Sequence, residues 1–584
     1  MLRIAGQAQL TGKSRKTTQM NASHIIHVPH RILGDLCVSI FFFKSKGSAF
    51  FLMTKAQYFF RFKLYCSNPN YSPMHKIINL SGIFIICFAF FSCGKKEVEA
   101  PKKPNILFVF VDDHAFQAIS AYDSRLKDLA PTPNIDRIAK NGMRFNRAYV
   151  TNSICAPSRA SVLTGLHSHA NGHLTNNDTF DGSQTTFPKL LQANGYNTAL
   201  IGKWHLNSAP TGFDYWDILP GQGHYYNPDF ITESDTTIVE GYVTEIITDK
   251  SLNWLKDQQA SEKPFMLMMQ HKAPHREWEK GPNQLSLYED VTFPEPDNLF
   301  DDYATRTSAA RDQDMTIEKT MELKYDLKMW SKADSASGVY QRTYGRMNPA
   351  QQKAWDAVYD PLREDFEKAN LSGKDLVKWK YQRYMRDYLA VIRAVDESVG
   401  KVLDYLKENG LEENTLVVYT SDQGFYLGEH GWFDKRFMYE ESFRTPLLMS
   451  WPGVIPAGST SDALVSNLDF AQTFLEITKT TDPGTMQGLS LLPIMKGEQP
   501  TDWRKSLYYA YFEYPGAHSV KKHEGAFDGR FKIIHFYDSD EWEFYDLQSD
   551  PKEMSNVYSA PEMQNQVVRM QTELKRLKEE YKVN

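Results

Sequence analysis

Short apolar runs alternate with helical patterns along most of the chain between residues 105 and 497. An apolar run without polar interruption is typical of a strand that is buried on both faces of a sheet. Such runs lie at Asn105 to Val111, Thr198 to Ile201, Phe265 to Met269 and Thr415 to Tyr419. Apolar residues at helical spacing occupy Tyr388, Ile392, Val395, Val399, Val402 and Leu406. The alternation predicts an α/β fold in which helices cover both faces of a central sheet.

The pattern changes after residue 497. Ser506 to Glu513, Gly525 to Phe536 and Glu541 to Leu547 predict short antiparallel strands. A last helix carries its apolar residues on one side, at Val567, Met570, Leu574 and Leu577. We therefore predict a catalytic domain at 105–497 and a small C-terminal α+β domain at 498–584. The charged stretch 301–380 predicts a helical insertion, to which we assign no chemistry.

The first hundred residues differ from the rest. Residues 1–73 carry one acidic residue, Asp35, and no regular period, so we expect this segment to be unstructured or to precede the true start. Residues 74–93 predict a bacterial lipoprotein-type signal that ends at Cys93, the residue that would carry the lipid. Residues 94–104 would then be a tether. The alternative is a stop-transfer helix, for which the apolar stretch is short.

This signal predicts an exported protein, located in the periplasm or at the cell surface as an outer-membrane lipoprotein, with a lipid anchor as its one membrane contact. The net charge of −6 over 584 residues gives no field that would attract nucleic acid. Of the five cysteines, only Cys155 lies in the predicted folded region, so no intrachain disulfide can form there. A lone thiol in an exported protein requires either apolar burial or a chemical role.

Polar side chains follow each of the four predicted buried strands. These endings are Asp112-Asp113, Lys203-Trp204-His205, His271 to His275, and Asp422-Gln423. Taken one at a time, they could be turns, helix caps or core histidines. Ligands bind at the carboxyl ends of strands in open α/β sheets, so together they predict one crevice. Three carboxylates and a carboxamide suit Ca²⁺ or Mg²⁺, while lysine, arginine and histidine suit a tetrahedral oxyanion.

A string that begins at Cys155 carries a family resemblance. Cys155-Ala156-Pro157-Ser158-Arg159, with Leu163-Thr164-Gly165 behind it, resembles the signature of type I, formylglycine-dependent sulfatases. Further similar segments are Thr132 to Asp136, Gly202 to His205 and Glu440 to Pro446. The resemblance implies the alkaline-phosphatase-like α/β sandwich, with a mixed central sheet between helices and a smaller C-terminal antiparallel sheet with a helix. It also implies that a formylglycine-generating or anaerobic sulfatase-maturating enzyme oxidises Cys155 to formylglycine (3-oxoalanine).

The resemblance implies one Ca²⁺ per site, held by Asp112, Asp113, Asp422, Gln423 and an oxygen of the modified Cys155. Gln423 stands where the family commonly has asparagine. Arg159 would hold the formylglycine, and Lys203, His205, His275 and Lys435 would surround the sulfate, with Arg436 as the rival to Lys435. In the implied reaction Asp422 activates a hydroxyl of the hydrated aldehyde, His275 with Lys435 protonates the leaving oxygen, and His205 assists sulfate release.

For the substrate we expect a sulfated polysaccharide or its oligosaccharides, because the chain resembles polysaccharide-utilisation lipoprotein sulfatases of Bacteroidetes-type bacteria. Glucosamine-6-sulfate-type glycans and algal polysaccharides such as ulvan both stay open. Arg276, His430 and Trp432 are the predicted substrate contacts, since aromatic and hydrogen-bonding side chains suit a sugar ring.

Two alternatives come from other classes. A phosphatase or phosphodiesterase of the same superfamily would use serine or threonine as its nucleophile, which Cys155 argues against. A glycan-binding lipoprotein without activity would lack some of the acid, base and metal residues, and this sequence has all of them.

Overall fold

The computed structural model describes residues 39–45, 47–53 and 102–583, and the chain divides into two compact units, 1–97 and 98–584. In the first unit, strands β1 (Ser39–Ser45) and β2 (Gly47–Met53) pair antiparallel. Both are rich in phenylalanine, which favours strands. These two segments therefore depart from the expectation that 1–73 lacks regular structure. The predicted signal at 74–93, Cys93 and the tether as far as residue 101 lie outside the described residues.

The second unit is built on a ten-stranded mixed sheet and a four-stranded antiparallel sheet. Its strands are β3 (Asn105–Val111), β4 (Met143–Phe145), β5 (Ala148–Tyr149), β6 (Asn197–Lys203), β7 (Tyr215–Leu219), β8 (Asp229–Ile231), β9 (Thr236–Ile238), β10 (Phe265–His271), β11 (Thr415–Ser421), β12 (Tyr426–Leu427), β13 (Phe433–Asp434), β14 (Leu447–Ser450), β15 (Ser459–Ser461), β16 (Val465–Ser466), β17 (Leu507–Tyr511), β18 (His523–Phe527), β19 (Phe531–Phe536) and β20 (Glu541–Asp546). The large sheet has the order β15-β4-β14-β11-β3-β10-β6-β7-β8-β9.

The α-helices vary from single turns to one of 36 residues. They span Ile135–Asn141, Cys155–Thr164, Ser168–Asn171, Phe187–Ala193, Val243–Gln258, Ser308–Asp312, Gly338–Thr343, Pro349–Ala369, Gly373–Glu408, Glu440–Phe443, Asp469–Ile477, Leu492–Met495 and Gln564–Tyr581. The predicted stripe from Tyr388 to Leu406 lies on the longest of them. The stretch 301–380 contains several helices, as expected for a helical insertion. No helix in the described part of the chain combines the length and hydropathy that a membrane span requires.

All four predicted buried strands are present and lie side by side, in the order β11-β3-β10-β6, each parallel to the next. Val111 pairs with both Ser421 and His271, so these strands end at the same level. Successive residues of β3 enter opposite layers of the core. Leu107 and Val109 pack in one apolar cluster, and Phe108 and Phe110 pack in the other. The predicted α/β sandwich is therefore confirmed, because each strand is covered on both faces.

The C-terminal sheet is antiparallel in the order β17-β18-β19-β20, with the helix Gln564–Tyr581 packed against it. The prediction of a single strand from Gly525 to Phe536 is wrong. The chain reverses between β18 and β19, where Gly529 has a φ of 90° and Asp528 accepts hydrogen bonds from the backbone of Arg530 and Phe531. The boundary at 497/498 stays a prediction, since residues 98–584 form one compact unit.

Candidate active site

Three buried carboxylates meet where β3 and β11 end. One oxygen from each of Asp112, Asp113 and Asp422 lies within 4.8 Å of the other two. Asp113 has a φ of 64°, and its backbone N–H donates to Asp422 Oδ1 at 3.1 Å. Burial, together with the charge of Asp112, raises the pKa of Asp113 to about 6 and that of Asp422 to about 7. Carboxylates packed this closely repel one another, so a cation would stabilise the cluster.

Gln423 completes a set of oxygen donors that fits a hard cation. Its Nε2 donates to Asp113. Its Oε1 and Asp112 Oδ1 are both buried with no hydrogen-bond partner in the described part of the chain. The two ends of a carboxamide are interchangeable in position, so the amide oxygen can face the carboxylates instead. Asp112, Asp113, Asp422 and Gln423 therefore fit a calcium ion by the chemistry of their donors.

Cys155 lies beside this donor set. It is the first residue of the helix Cys155–Thr164, and its Sγ is 4.0 Å from Gln423 Nε2. The preceding residue provides no side-chain cap, but the backbone N–H of Ala156 donates to Asn176 Oδ1 at 3.0 Å. Burial, with the nearby charge of Asp112, raises the pKa of the Cys155 thiol well above its ordinary value. An unmodified thiol here is thus protonated and a poor nucleophile.

Cationic side chains surround the carboxylates. Arg159 donates from Nε to Asp422 Oδ2 at 3.0 Å and from Nη1 to Gln270 Oε1 at 2.6 Å. Lys203 pairs with Asp112. Lys435 Nζ is 2.6 Å from both oxygens of Asp113. The structure thus brings all three predicted cations together.

Arg436, the rival to Lys435, pairs with Asp434 instead. Lys435 is therefore the residue of the two that reaches the carboxylate cluster.

The two predicted histidines lie at the same place. Nδ1 of His275 donates to the backbone oxygen of Arg276, which leaves Nε2 directed at Asp113 Oδ2, 3.8 Å away. His205 follows β6 with a φ of 55°. Burial, reinforced by Lys203, lowers the pKa of both histidines well below the ordinary value. Both rings are consequently neutral until an anion binds beside them.

Of the three predicted substrate contacts, one lines a cleft and two do not. Arg276 lines a cleft next to His275, where its guanidinium is held by Asp326 with Nη2 3.0 Å from Oδ2. His430 and Trp432 are not among the residues that line this cleft, and both are completely buried. His430 Nδ1 lies 3.1 Å from Asp301 Oδ2. Trp432 stacks between aromatic rings of the core, among them Tyr303, Phe437 and Tyr439. The prediction for these two residues is corrected, since neighbouring aromatic residues cover them.

Several residues with direct contacts to the site were missed. Gln270 holds Arg159, and Gln222 accepts a hydrogen bond from Lys203. Gln270 is a polar residue within an otherwise apolar strand, and this break in the pattern could have indicated a role in the site. Gln222 lies in a loop, where a polar residue gives no such indication. His518, whose Nε2 lies 3.3 Å from Nη1 of the cleft residue Arg276, comes from the loop after β17 and could not be linked to the site by sequence.

The cleft beside the carboxylates is open to solvent through His275. Gln222, His224, Lys272 and Arg342 line it together with His275 and Arg276, and it encloses about 520 Å³ including its mouth. Of this space about 180 Å³ is accessible to a water-sized molecule, which is below the roughly 300–1,000 Å³ of sites for drug-sized ligands. The cleft therefore gives a small polar ligand access to the cluster of carboxylates and cations.

Comparison with known proteins places this arrangement in a family. The family model described as sulfatase matches residues 104–480, and one described as the C-terminal part of N-sulphoglucosamine sulphohydrolase matches residues 428–580. An N-acetylglucosamine-6-O-sulfatase of Bacteroides thetaiotaomicron is 49% identical over 502 residues, which is 84% of this chain and 89% of that protein. An ulvan-active sulfatase of Formosa agariphila is 24% identical, over 85% of this chain and 87% of that protein.

A solved structure matches as well. It is that of a protein in complex with its substrate, D-glucosamine-2-N,6-O-disulfate, and it is 49% identical with a TM-score of 0.81. The match covers 83% of this chain and 99% of that one.

Proposed function

Because the chain belongs to the sulfatase family and is a sulfuric ester hydrolase, we propose that it removes the 6-O-sulfate from glucosamine residues of a sulfated glycan. The observation that carries this proposal is Cys155 beside Asp112, Gln423 and His275, the last of which lines an open cleft. The glucosamine specificity is supported by the relative and the solved structure at 49% identity, whose names or ligands include 6-O-sulfated glucosamine. Ulvan is less well supported, since the ulvan-active relative is 24% identical.

Asp112, Asp113, Asp422 and Gln423 would hold the calcium ion. When bound, the ion would neutralise sulfate oxygens and polarise the sulfur centre. Formylglycine at position 155 would supply a hydrated aldehyde hydroxyl as nucleophile, which the protonated thiol cannot do. A partner enzyme of the formylglycine-generating or anaerobic sulfatase-maturating class would perform that oxidation.

The chain's own side chains would do the remaining work. Lys203 and Lys435 would neutralise the sulfate oxygens, since both amines are buried at the carboxylate cluster. Asp422, next to Cys155 and Arg159, would accept a proton from the nucleophile. His275 would carry a proton on Nε2 to the leaving sugar oxygen, because Nδ1 is already held by Arg276. His205 would accept the proton whose removal releases sulfate.

We further propose that Cys93 carries a lipid anchor and that the protein acts in the periplasm or at the cell surface. The sequence of 74–93 is the support for this. Metabolic labelling of the full-length protein with a fatty-acid analogue would test it, with Cys93→Ala as the control that should stay unlabelled.

The experiment that tests the main proposal is sulfate release by the full protein, produced together with a maturating enzyme. The substrates are N-acetylglucosamine-6-sulfate, N-acetylglucosamine-3-sulfate, N-acetylgalactosamine-6-sulfate and an ulvan oligosaccharide. Release from the first alone, or much faster than from the others, is expected, and Cys155→Ala should release none. A preference for the 3-sulfate or for ulvan would overturn the proposed specificity.

A further inference from the structure

The cleft contains a buried lysine to which the reaction gives no role. Lys272 directly follows β10 and is 2% exposed. Its Nζ donates to the backbone oxygen of Arg276 at 3.3 Å and lies 4.6 Å from the ring centroid of Tyr225. Across residues 102–583, no carboxylate forms an ion pair with it. Of the three N–H donors of this ammonium group, one therefore forms a long hydrogen bond. No carboxylate of the described residues is in direct contact with the group.

Other buried lysines of this protein have a direct partner. Lys203 pairs with Asp112, Lys435 with Asp113, Lys280 with Glu289 and Lys532 with Glu553. Lys380, which has no carboxylate partner, donates to three backbone oxygens instead. Removing an ammonium group from water is costly unless an anion or several acceptors replace the water. Among residues 102–583, Lys272 has one backbone acceptor and no ion pair, and the nearby charge of Glu277 compensates it only from beyond ion-pair distance. A ligand that supplies acceptors would therefore stabilise it.

Lys272 belongs to the outer part of the cleft. Lys272 and His275 both donate to the backbone oxygen of Arg276, so the two side chains are neighbours. His275 Nε2 is directed at Asp113 and the carboxylate cluster, whereas Lys272 is not paired with any of those carboxylates. The lysine thus lies beside the route by which a ligand reaches the cluster.

The charges that line this part of the cleft are mainly positive. Lys272, Arg276 and Arg342 face one carboxylate, Glu277. Arg276 is occupied by Asp326, and Arg342 lies 3.3 Å from Glu277. Within residues 102–583, Lys272 uses one of its three donors and forms no ion pair. An anionic group that enters here would meet an ammonium ion with two donors that no described residue accepts.

We propose that Lys272 binds a second anionic substituent of the glycan, distinct from the sulfate that is removed. This inference rests on the proposed function. The substituent would be an N-sulfate on the same sugar or a carboxylate on a neighbouring sugar, since an ammonium group recognises either anion. The enzyme would accordingly prefer multiply charged substrates over singly sulfated ones.

Two substrates that differ in the second substituent test this preference. N-acetylglucosamine-6-sulfate is neutral at the 2-position, and glucosamine-2-N,6-O-disulfate is anionic there. A 6-sulfated disaccharide with an adjoining uronic acid tests the carboxylate source. For Lys272→Gln, which keeps length but removes charge, we expect kcat/KM for one of the two anionic substrates to fall about 10- to 100-fold more than for the singly sulfated sugar. Most of that loss should appear in KM.

Two control variants test whether the positive charge of Lys272 is what matters and whether the loss of any lysine would have the same effect. Lys272→Arg should retain much of the preference, because it keeps the positive charge. Lys401→Gln removes an exposed lysine on the helix Gly373–Glu408 and should leave the ratio unchanged. An equal loss on all substrates would mean that Lys272 contacts the transferred sulfate, and this would overturn the proposal, as would no loss on any.

A binding measurement separates the two proposals. Calorimetric titration of the disulfated sugar and the uronic-acid disaccharide into the Cys155→Ala protein, with and without Lys272→Gln, needs no turnover. Weaker binding of either ligand by the double variant supports the role of Lys272 even if the wild-type protein releases no 6-O-sulfate. Equal binding of both ligands by the two variants contradicts it.

Discussion

Lys435 Nζ lies 2.6 Å from both carboxylate oxygens of Asp113, although the two residues are 322 positions apart in the chain. The contact connects the loop after β13 to the end of β3. It puts a positive charge inside the carboxylate cluster, and Asp113 holds the pKa of Lys435 well above its usual value despite the burial. The lysine is therefore a permanent cation of the site.

Replacement of Lys435 should impair both catalysis and folding. In Lys435→Ala we expect kcat to fall about 100-fold or more, because a charge that stabilises the transition state is lost. The metal-free variant should also lose about 3–5 kcal/mol of unfolding free energy, since Asp113 is left buried without a cation. Sulfate-release kinetics and urea denaturation would measure the two effects. Arg436→Lys, which keeps a positive charge beside Asp434, should have a smaller effect on kcat; an equal loss would contradict the assignment of Lys435.

Gln423 should contribute to metal affinity. Gln423→Ala removes one oxygen donor and is expected to weaken calcium binding about 10-fold or more, while Gln423→Asn should weaken it less. Calorimetric titration of chelator-treated protein with Ca²⁺ would measure this. Chelation should also lower activity and melting temperature, with both restored by Ca²⁺. Full activity after exhaustive chelation would rule out a required metal.

Asn176 should act on Cys155 through the backbone. Its Oδ1 accepts from Ala156 N at 3.0 Å, and its own N–H donates to Glu513 Oε2 at 2.8 Å. Asn176→Ala should cost about 1 kcal/mol of unfolding free energy, because it removes a helix cap, and should lower kcat more than it raises KM. Asn176→Asp keeps the acceptor and should retain more activity. If kcat is unchanged in Asn176→Ala, the cap does not position residue 155.

Buried neutral histidines should make the protein acid-sensitive. Burial lowers the pKa of His167 and of His271 to about 3 from the ordinary 6.5. The unfolded chain therefore binds more protons than the folded chain between pH 6.5 and 3, and stability falls as the pH drops through that range. Each such histidine should cost about 1.4 kcal/mol per pH unit below 6.5. Denaturation at pH 7.5 and pH 5 would measure the loss, and His167→Gln should reduce it.

Much of the fold was predictable because its signals are local. Strands buried on both faces must be apolar at every position, so β3, β6, β10 and β11 could be located from uninterrupted runs. The polar residues at their ends could be placed in one crevice because parallel strands share an edge. The turn at Asp528 to Arg530 was missed, since the apolar pattern continues on both sides of it.

The sequence by itself determined the family, through the string from Cys155 to Gly165, and the identity of the carboxylates at the strand ends. Only the tertiary structure decided that His430 and Trp432 are buried and that Lys272 has no ion pair among residues 102–583. It also showed that Lys435, already favoured over Arg436, is the residue that reaches Asp113. The physical reason is that burial and ion pairing depend on which distant segments pack together. Residue spacing along the chain carries no measure of those distances.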